Sequence, residues 1–104
     1  MKVNIQSVHF DADKKLIAFI ENKINKLQAR FEEIVSCEVI LKLDKSNSAE
    51  NKIAEIKLHI KGTDLFAKKN SSNFEEAIEH ALDALKHQLD KQKEKNNPKR
   101  INGF

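Results

Sequence analysis

The side chains best suited to chemistry in this chain are bases that recur on one flank of two amphipathic segments. At about 100° of rotation per residue, the first segment places four bases on one flank of its apolar face: Lys15, Lys23, Lys26 and Arg30. The corresponding flank of the second segment carries His87, Gln88, Lys91 and Lys95, with Ala84 among them. Lysine and arginine on rigid elements bind phosphate oxygens and hold a nucleic acid in position without reading its sequence. The pattern predicts that two packed helices present a basic surface to a polyanion.

The charges of the second segment change sign along its length. Every charged residue from Asn73 to Asp83 is acidic, whereas bases outnumber acids from Lys86 to Arg100. The helix dipole favours acids in the first turn and bases in the last, but its effect fades within a turn. Because the basic stretch continues past Pro98, the dipole does not explain it alone, and solvation of a charged flank is the other ordinary explanation. The sequence favours a nucleic acid over a membrane surface, since few large apolar residues lie opposite these lysines.

A row of histidine and carboxylate side chains is the other candidate for chemistry. Four residues share a face of the second segment: Glu76, His80, Asp83 and His87. Such groups are ordinary zinc ligands, but this face points away from the apolar stripe, where polar residues belong in any helix. The chain has two glycines and one cysteine, so it lacks a glycine-rich phosphate loop and paired cysteines. The sequence predicts no enzyme, metal, cofactor or small-molecule substrate.

Composition sets further limits on the kind of protein. A chain of 104 residues with a net charge of +3 fits one domain with a modest core. It has no run of about 18 apolar residues that would span a membrane, and MKVNIQSVHF lacks the apolar core of a signal peptide. Cys37 is the single cysteine and alternates in phase with Val39 and Leu41, so we expect a buried thiol in a reducing compartment. The predicted location is the cytoplasm.

Hydrophobic periodicity predicts the elements that position these bases. Alternating residues predict strands, and apolar residues at three- and four-residue steps predict helices. In order, the predicted elements are a strand Lys2–Val8, a helix from Asp11 or Asp13 to about Phe31, strands Ser36–Leu43 and Lys52–Lys61, a short strand Leu65–Lys68 and a helix Asn73–Lys95. The polar stretch 45–51 is predicted to be a hairpin loop, and Gly62-Thr63-Asp64 a tight turn.

The element order β-α-β-β-β-α predicts an α+β single domain. The first helix must connect parallel strands, because a crossover of that length is what parallel pairing requires. The next three strands form an antiparallel meander, and the four-stranded sheet carries both helices on one face. This arrangement resembles the architecture of double-stranded-RNA-binding domains. We expect the domain to cover residues 1–96 and residues 97–104 to form a flexible basic tail. Of the aromatic side chains, only Phe66 is expected on the wet sheet face, which argues against base stacking there.

Four stretches of the chain together resemble a known family. They are the MKVNIQSVHF opening, the KINKL segment around Lys26, the VILKLDK strand and the helical FEEAIEHALDALKHQLDKQKEK. They resemble the hibernation promoting factor and ribosome-associated translation inhibitor family over residues 1 to about 95. The fold of that family is similar to the one that periodicity predicts. Since the chain ends near residue 104, the resemblance is to the short form, which lacks the C-terminal dimerisation domain of the long form.

The resemblance implies a stationary-phase, stress-response factor that binds the small ribosomal subunit and its ribosomal RNA in the channel between head and body. There it blocks the sites of messenger and transfer RNA, so translation stops. In the family the RNA-contacting bases lie on the first helix near Lys26 and along the second helix. The resemblance implies RNA contacts by Lys23, Lys26, Arg30, Lys86, His87, Gln88, Lys91, Lys93 and Lys95. Ala84 and His87 stand where family members often carry Lys and Arg, and Lys86 compensates in part.

Another class of protein also fits the sequence. A non-ribosomal RNA-binding module would use the same elements, whereas a protein-interaction module would pair with a protein through the wet sheet face. Salt dependence separates the protein-interaction module from RNA binding, because phosphate contacts weaken steeply with salt while an apolar interface does not.

Overall fold

The fold follows from how the predicted elements pair. The structure is a computed structural model that describes residues 2–8, 10–44 and 49–95, with side chains described up to residue 92. Its elements are β1 Lys2–Val8, α1 Lys14–Arg30, β2 Ile34–Leu43, β3 Lys52–Ile60, β4 Thr63–Ser71 and α2 Phe74–Lys95. The predicted order β-α-β-β-β-α is confirmed. The predicted loop at 45–51 lies partly, and the tail at 97–104 wholly, outside the described residues.

The four strands form one mixed sheet in the order β1-β2-β3-β4. β1 runs parallel to β2, whereas β3 is antiparallel to both β2 and β4. The register places Val39 opposite Ile5 on one side and Ile56 on the other. These apolar residues therefore form a continuous row on one face of the sheet, as the alternation along each strand predicts.

Both helices cover this apolar face. α1 buries Leu16, Ile20, Ile24 and Leu27, and α2 buries the stripe that runs from Phe74 to Leu89. These side chains and the inward residues of the sheet belong to one core cluster, and α2 lies over β3 and β4. The prediction that two helices share one sheet face is confirmed. This packing leaves the opposite face of the sheet open to solvent. In the part of the chain that the structure describes, no helix is long and apolar enough to cross a membrane.

Side-chain caps set where the helices begin. Of the two candidate caps, Asp13 is the one used: its Oδ1 accepts a hydrogen bond from the Leu16 backbone N–H at 2.8 Å. Asn73 caps α2 in the same way, since its Oδ1 accepts from the Glu76 backbone N–H at 2.7 Å. Each cap satisfies a backbone donor that has no partner within the helix. The caps thus set the first turn of each helix.

The strand bounds differ from prediction at three places. β4 is nine residues long rather than four, because its backbone pairs with β3 over the whole length even where the side chains are polar. β2 begins two residues earlier than predicted, at Ile34, and its register shifts between Ile34 and Ser36. The turn between β3 and β4 lies at Lys61–Gly62, where the φ of 95° suits glycine, so Thr63 already belongs to β4. Edge strands such as β4 tolerate polar residues that would be unusual in a central strand.

Candidate polyanion-binding groove

A groove between α1 and α2 brings together bases from both helices. At one end it forms a hollow of about 250 Å³, which we call the basic hollow. Six residues line it: Lys23, Lys26, Leu27, Arg30, Leu82 and Lys86. Leu27 and Leu82 in this lining are buried, whereas the four bases are half-buried or exposed. No carboxylate lines the basic hollow among the residues that the structure describes, so it is a local concentration of positive charge.

The sequence of α1 explains why its bases point into this groove. Leu16, Ile20, Ile24 and Leu27 form the buried stripe and fix the rotation of the helix on the sheet. At 100° per residue, Lys23, Lys26 and Arg30 then lie along the flank of that stripe that faces α2. A helix anchored by a fully buried stripe holds these bases at fixed spacing, which suits recognition of a regular phosphate backbone.

Two of the bases in the groove are already paired with acids of α2. The Lys23 Nζ lies 3.2 Å from the Glu79 Oε1, and the Lys86 Nζ lies 3.9 Å from the Asp83 Oδ1. Neither Lys26 nor Arg30 forms an ion pair within the described residues, and both side chains are exposed. The groove therefore has two cations that are engaged and two that are free to take an external anion.

Aromatic rings support two of these cations. The Lys23 Nζ lies 5.5 Å from the centroid of the Phe19 ring, and the Arg30 Cζ lies 5.3 Å from that of Phe31. Contacts of this kind stabilise exposed cations by about 0.5–1 kcal/mol. They also restrict the long side chains, so less conformational freedom is lost when an anion binds.

A second hollow adjoins the basic hollow along α2, and we call it the mixed hollow. Its volume is about 330 Å³, and its lining comprises Lys23, Glu79, His80, Leu82, Asp83 and Lys86. Lys23, Leu82 and Lys86 line both hollows, so they mark the boundary between them. The groove is thus basic at the end near Arg30 and of mixed charge at the end near Glu79.

The predicted RNA-contacting residues of α2 divide between its two flanks. Lys86 faces α1 and joins Lys23, Lys26 and Arg30 around the basic hollow. Gln88 lies on the other flank, where its Nε2 donates a hydrogen bond to the backbone oxygen of Phe66 in β4 at 3.0 Å.

Two further predicted residues of α2, His87 and Lys91, do not join the groove. Lys91 follows Gln88 by about one turn and is exposed on the β4 side, and His87 is exposed on the outer face of α2. Lys93 and Lys95 lie within α2, but their side chains are outside the described residues. Of the seven predicted residues whose side chains the structure describes, four come together in one site.

Two members of the row of possible metal ligands on α2 lie beside the groove. Asp83 pairs with Lys86, and His80 lines the mixed hollow. Within the described residues, no three histidine, cysteine, aspartate or glutamate side chains are grouped so that they would hold a metal ion.

The open sheet face carries charges that pair with one another. The His59 Nδ1 lies 2.9 Å from the Asp64 Oδ1, and its Nε2 lies 2.9 Å from the Glu38 Oε2. These hydrogen bonds, the one with Glu38 first, raise the pKa of His59 above its ordinary value. Lys42 pairs with Glu55 at 3.0 Å. A surface whose bases and acids neutralise each other attracts a polyanion less than the basic hollow does.

Phe66 lies on this open face, as the alternation of β4 predicts, and its side chain is 51% exposed. It lines a hollow of about 460 Å³ together with Glu38, Ile40, Glu55 and Lys57. The two carboxylates in this lining disfavour phosphate groups there, so the hollow does not extend the basic surface.

Sequence reasoning missed the role of the acids on α2. In the sequence, Glu79 and Asp83 belong to an acidic first half of the helix. The structure pairs Glu79 with Lys23 and Asp83 with Lys86. A signal was present: Glu79, Leu82, Asp83 and Lys86 recur at steps of three and four residues and so share one flank. Deciding that this flank faces α1 required the tertiary structure.

Comparisons with known proteins point to one family. A family model described as "Sigma 54 modulation protein / S30EA ribosomal protein" matches residues 3–97. The chain is 35% identical over 95 residues to a ribosome hibernation promoting factor of Azotobacter vinelandii, covering 91% of this chain and 85% of that protein. It is 28% identical to a ribosome hibernation promoting factor of Escherichia coli strain K12, covering 91% of this chain and 96% of that protein.

Two solved structures share the fold. A ribosomal subunit interface protein from Coxiella burnetii superposes with a TM-score of 0.80 at 22% identity, covering 89% of this chain and 98% of that one. The N-terminal domain of Thermus thermophilus Protein Y superposes with a TM-score of 0.72 at 19% identity, covering 86% of this chain and 96% of that one.

Proposed function

Since this chain belongs to the Sigma 54 modulation protein / S30EA ribosomal protein family, we propose that it is a ribosome hibernation factor. It binds the small ribosomal subunit through ribosomal RNA in the channel between head and body. There it occupies the sites of messenger and transfer RNA and inhibits translation without covalent chemistry. A protein that acts in this way works in the cytoplasm.

The names of the relatives support the ribosome as the partner. Curated relatives that this chain matches over 91% of its length are named ribosome hibernation promoting factor. A solved structure that superposes on this chain over 98% of its own length is named a ribosomal subunit interface protein. Nearly the whole domain is shared, so the groove between α1 and α2 belongs to the shared part.

The basic hollow is the observation that supports RNA as the ligand. Four cations converge there from two helices, and Lys26 and Arg30 form no ion pair within the described residues. Phosphate contacts supply much of the affinity of nucleic-acid-binding proteins, because each neutralised phosphate releases condensed counterions. The buried stripes of α1 and α2 keep this surface rigid, which suits a folded RNA whose backbone has a fixed shape.

Co-sedimentation with purified small ribosomal subunits at two salt concentrations tests the proposal. The wild-type chain should sediment with the subunits at low salt, dissociate steeply as salt rises, and inhibit a cell-free translation assay. Removing Lys26 and Arg30 together should weaken binding and lower the salt slope by about 0.7–0.9 for each phosphate that is no longer neutralised. Adding Lys91→Ala and Lys95→Ala tests whether the β4 flank of α2 also contributes.

A matched control comes from the sheet side of the molecule. The double substitution Lys57→Ala and Lys61→Ala also removes two positive charges. However, Lys57 lies on the open face of β3, and Lys61 lies in the following turn. We expect this variant to bind as the wild type does. If it loses binding while the Lys26 and Arg30 variant keeps it, the proposed RNA-binding face is wrong. Binding that persists unchanged at high salt would instead favour a protein-interaction module.

A further inference from the structure

The groove between the helices contains two acids that a surface devoted to phosphate binding would not need. Glu79 lies 3.2 Å from Lys23, and Asp83 lies 3.9 Å from Lys86. Both acids line the mixed hollow, whereas neither lines the basic hollow. The acids are therefore placed so that they affect one end of the groove and leave the other end positive.

We propose that Glu79 and Asp83 set the register of the bound phosphate backbone, an inference that rests on the proposed binding of ribosomal RNA. Glu79 withdraws Lys23 from the RNA, and the Glu79 and Asp83 carboxylates in the lining of the mixed hollow repel phosphates at that end. The backbone then engages Lys26, Arg30 and, more weakly, Lys86 at the end that lacks carboxylates. The acids thus determine where along the groove the RNA lies.

The distances explain why Glu79 has the larger effect. A phosphate within contact of the Lys23 ammonium also lies within several ångströms of the Glu79 carboxylate. Between unit charges at such a separation near a protein surface, repulsion weakens binding by roughly three- to thirtyfold. The Lys86 pair is longer, and the Asp83 side chain is 68% exposed, against 51% for Glu79. Solvent therefore screens Asp83 more strongly, and Lys86 remains partly available.

A double-mutant cycle between Lys23 and Glu79 tests whether Glu79 keeps Lys23 from engaging a phosphate. Affinity of the full chain for purified small ribosomal subunits is measured at several salt concentrations. Lys23→Ala alone should lower the affinity about threefold or more, because it leaves the Glu79 carboxylate unpaired beside the bound phosphates. Glu79→Gln alone should raise the affinity about threefold or more and steepen the salt slope by about 0.7–0.9, since one more phosphate is neutralised. In the Glu79→Gln background, Lys23→Ala should then remove the whole gain.

Glu21→Gln is the matched control for net charge. It changes the net charge by the same amount, but Glu21 is exposed on the flank of α1 that faces away from α2. We expect it to alter the affinity less than twofold. Asp83→Asn should give an intermediate gain. Circular dichroism should show that all variants fold, because exposed ion pairs contribute little to stability.

The possible results separate the inference from the function on which it rests. If the wild-type chain does not bind small subunits, the proposed function fails. If it binds but Glu79→Gln and Glu21→Gln raise the affinity equally, overall charge is responsible and the register inference fails. A loss of affinity in Glu79→Gln also overturns it, because the ion pair would then be orienting Lys23 for contact with RNA.

Discussion

Replacing Cys37 by alanine tests whether its thiol serves the core alone. Cys37 lies on β2, opposite Val3 in β1 and Leu58 in β3, and is 1% exposed. A buried methylene stabilises a fold by about 0.8 kcal/mol, and the sulfur atom is somewhat larger. The small cavity that remains adds about 24 cal/mol per Å³. We therefore expect the substitution to lower the free energy of unfolding by about 1–2 kcal/mol.

Thermal and urea unfolding followed by far-UV circular dichroism measure this effect, because the chain has no tryptophan or tyrosine to report by fluorescence. For a domain of this size, each 1 kcal/mol lowers the melting temperature by about 4–8 °C. Cys37→Ser should cost more than Cys37→Ala, since it buries a hydroxyl in an apolar site. Under conditions in which both variants are folded, their co-sedimentation with small ribosomal subunits should equal that of the wild type.

The pH dependence of the same variant provides an independent check. Burial, and to a lesser extent the neighbouring Glu38 carboxylate, raises the pKa of Cys37 from 9.0 to about 12. Below pH 9 the thiol is neutral in the folded and the unfolded chain, so its full contribution is present. Above pH 9 only the unfolded chain releases the proton, and stability is lost progressively as the pH rises towards 12. The difference in stability between the wild type and Cys37→Ala should therefore shrink over this range.

Three results would refute this reasoning. Equal stability of the wild type and Cys37→Ala at pH 7 would mean that the thiol makes no packing contribution. Rapid reaction of the native protein with a thiol reagent at pH 8 would mean that the side chain is accessible and ionised. Loss of ribosome binding in a folded Cys37→Ala variant would show that the residue has more than a core role.

Three further substitutions test other parts of the structure. An NMR titration should give His59 a pKa above its ordinary value of 6.5, and Glu38→Gln should lower that pKa. The stability that the hydrogen bonds of His59 contribute should be complete below pH 6.5 and be lost as the pH rises through the raised pKa. Ser71→Ala should keep or raise the free energy of unfolding, by up to about 1 kcal/mol, because the buried Ser71 hydroxyl has no hydrogen-bond partner in the described chain. Asp13→Ala should lower it by about 1 kcal/mol through loss of the α1 cap, and an unchanged melting temperature would contradict that role.

The extent of β4 shows a limit of reasoning from hydrophobic alternation. Prediction ended this strand at Lys68, because Lys69 and Asn70 break the apolar pattern. In the structure these residues pair with Ala54 and Ile53 of β3 through the backbone. Backbone pairing does not depend on side-chain polarity at a sheet edge, so the strand continues to Ser71.

By itself, the sequence determined the order of the elements, the parallel first pair of strands and the face on which both helices pack. These features depend on local periodicity and on the length of the first crossover, which are visible in any single chain. Only the tertiary structure decided which flank of α2 faces α1. An apolar stripe orients a helix towards the sheet but leaves its two flanks equivalent, and the neighbours that distinguish them lie far away in sequence. For this reason Lys86 and Glu79 join the groove, whereas Gln88 turns towards β4.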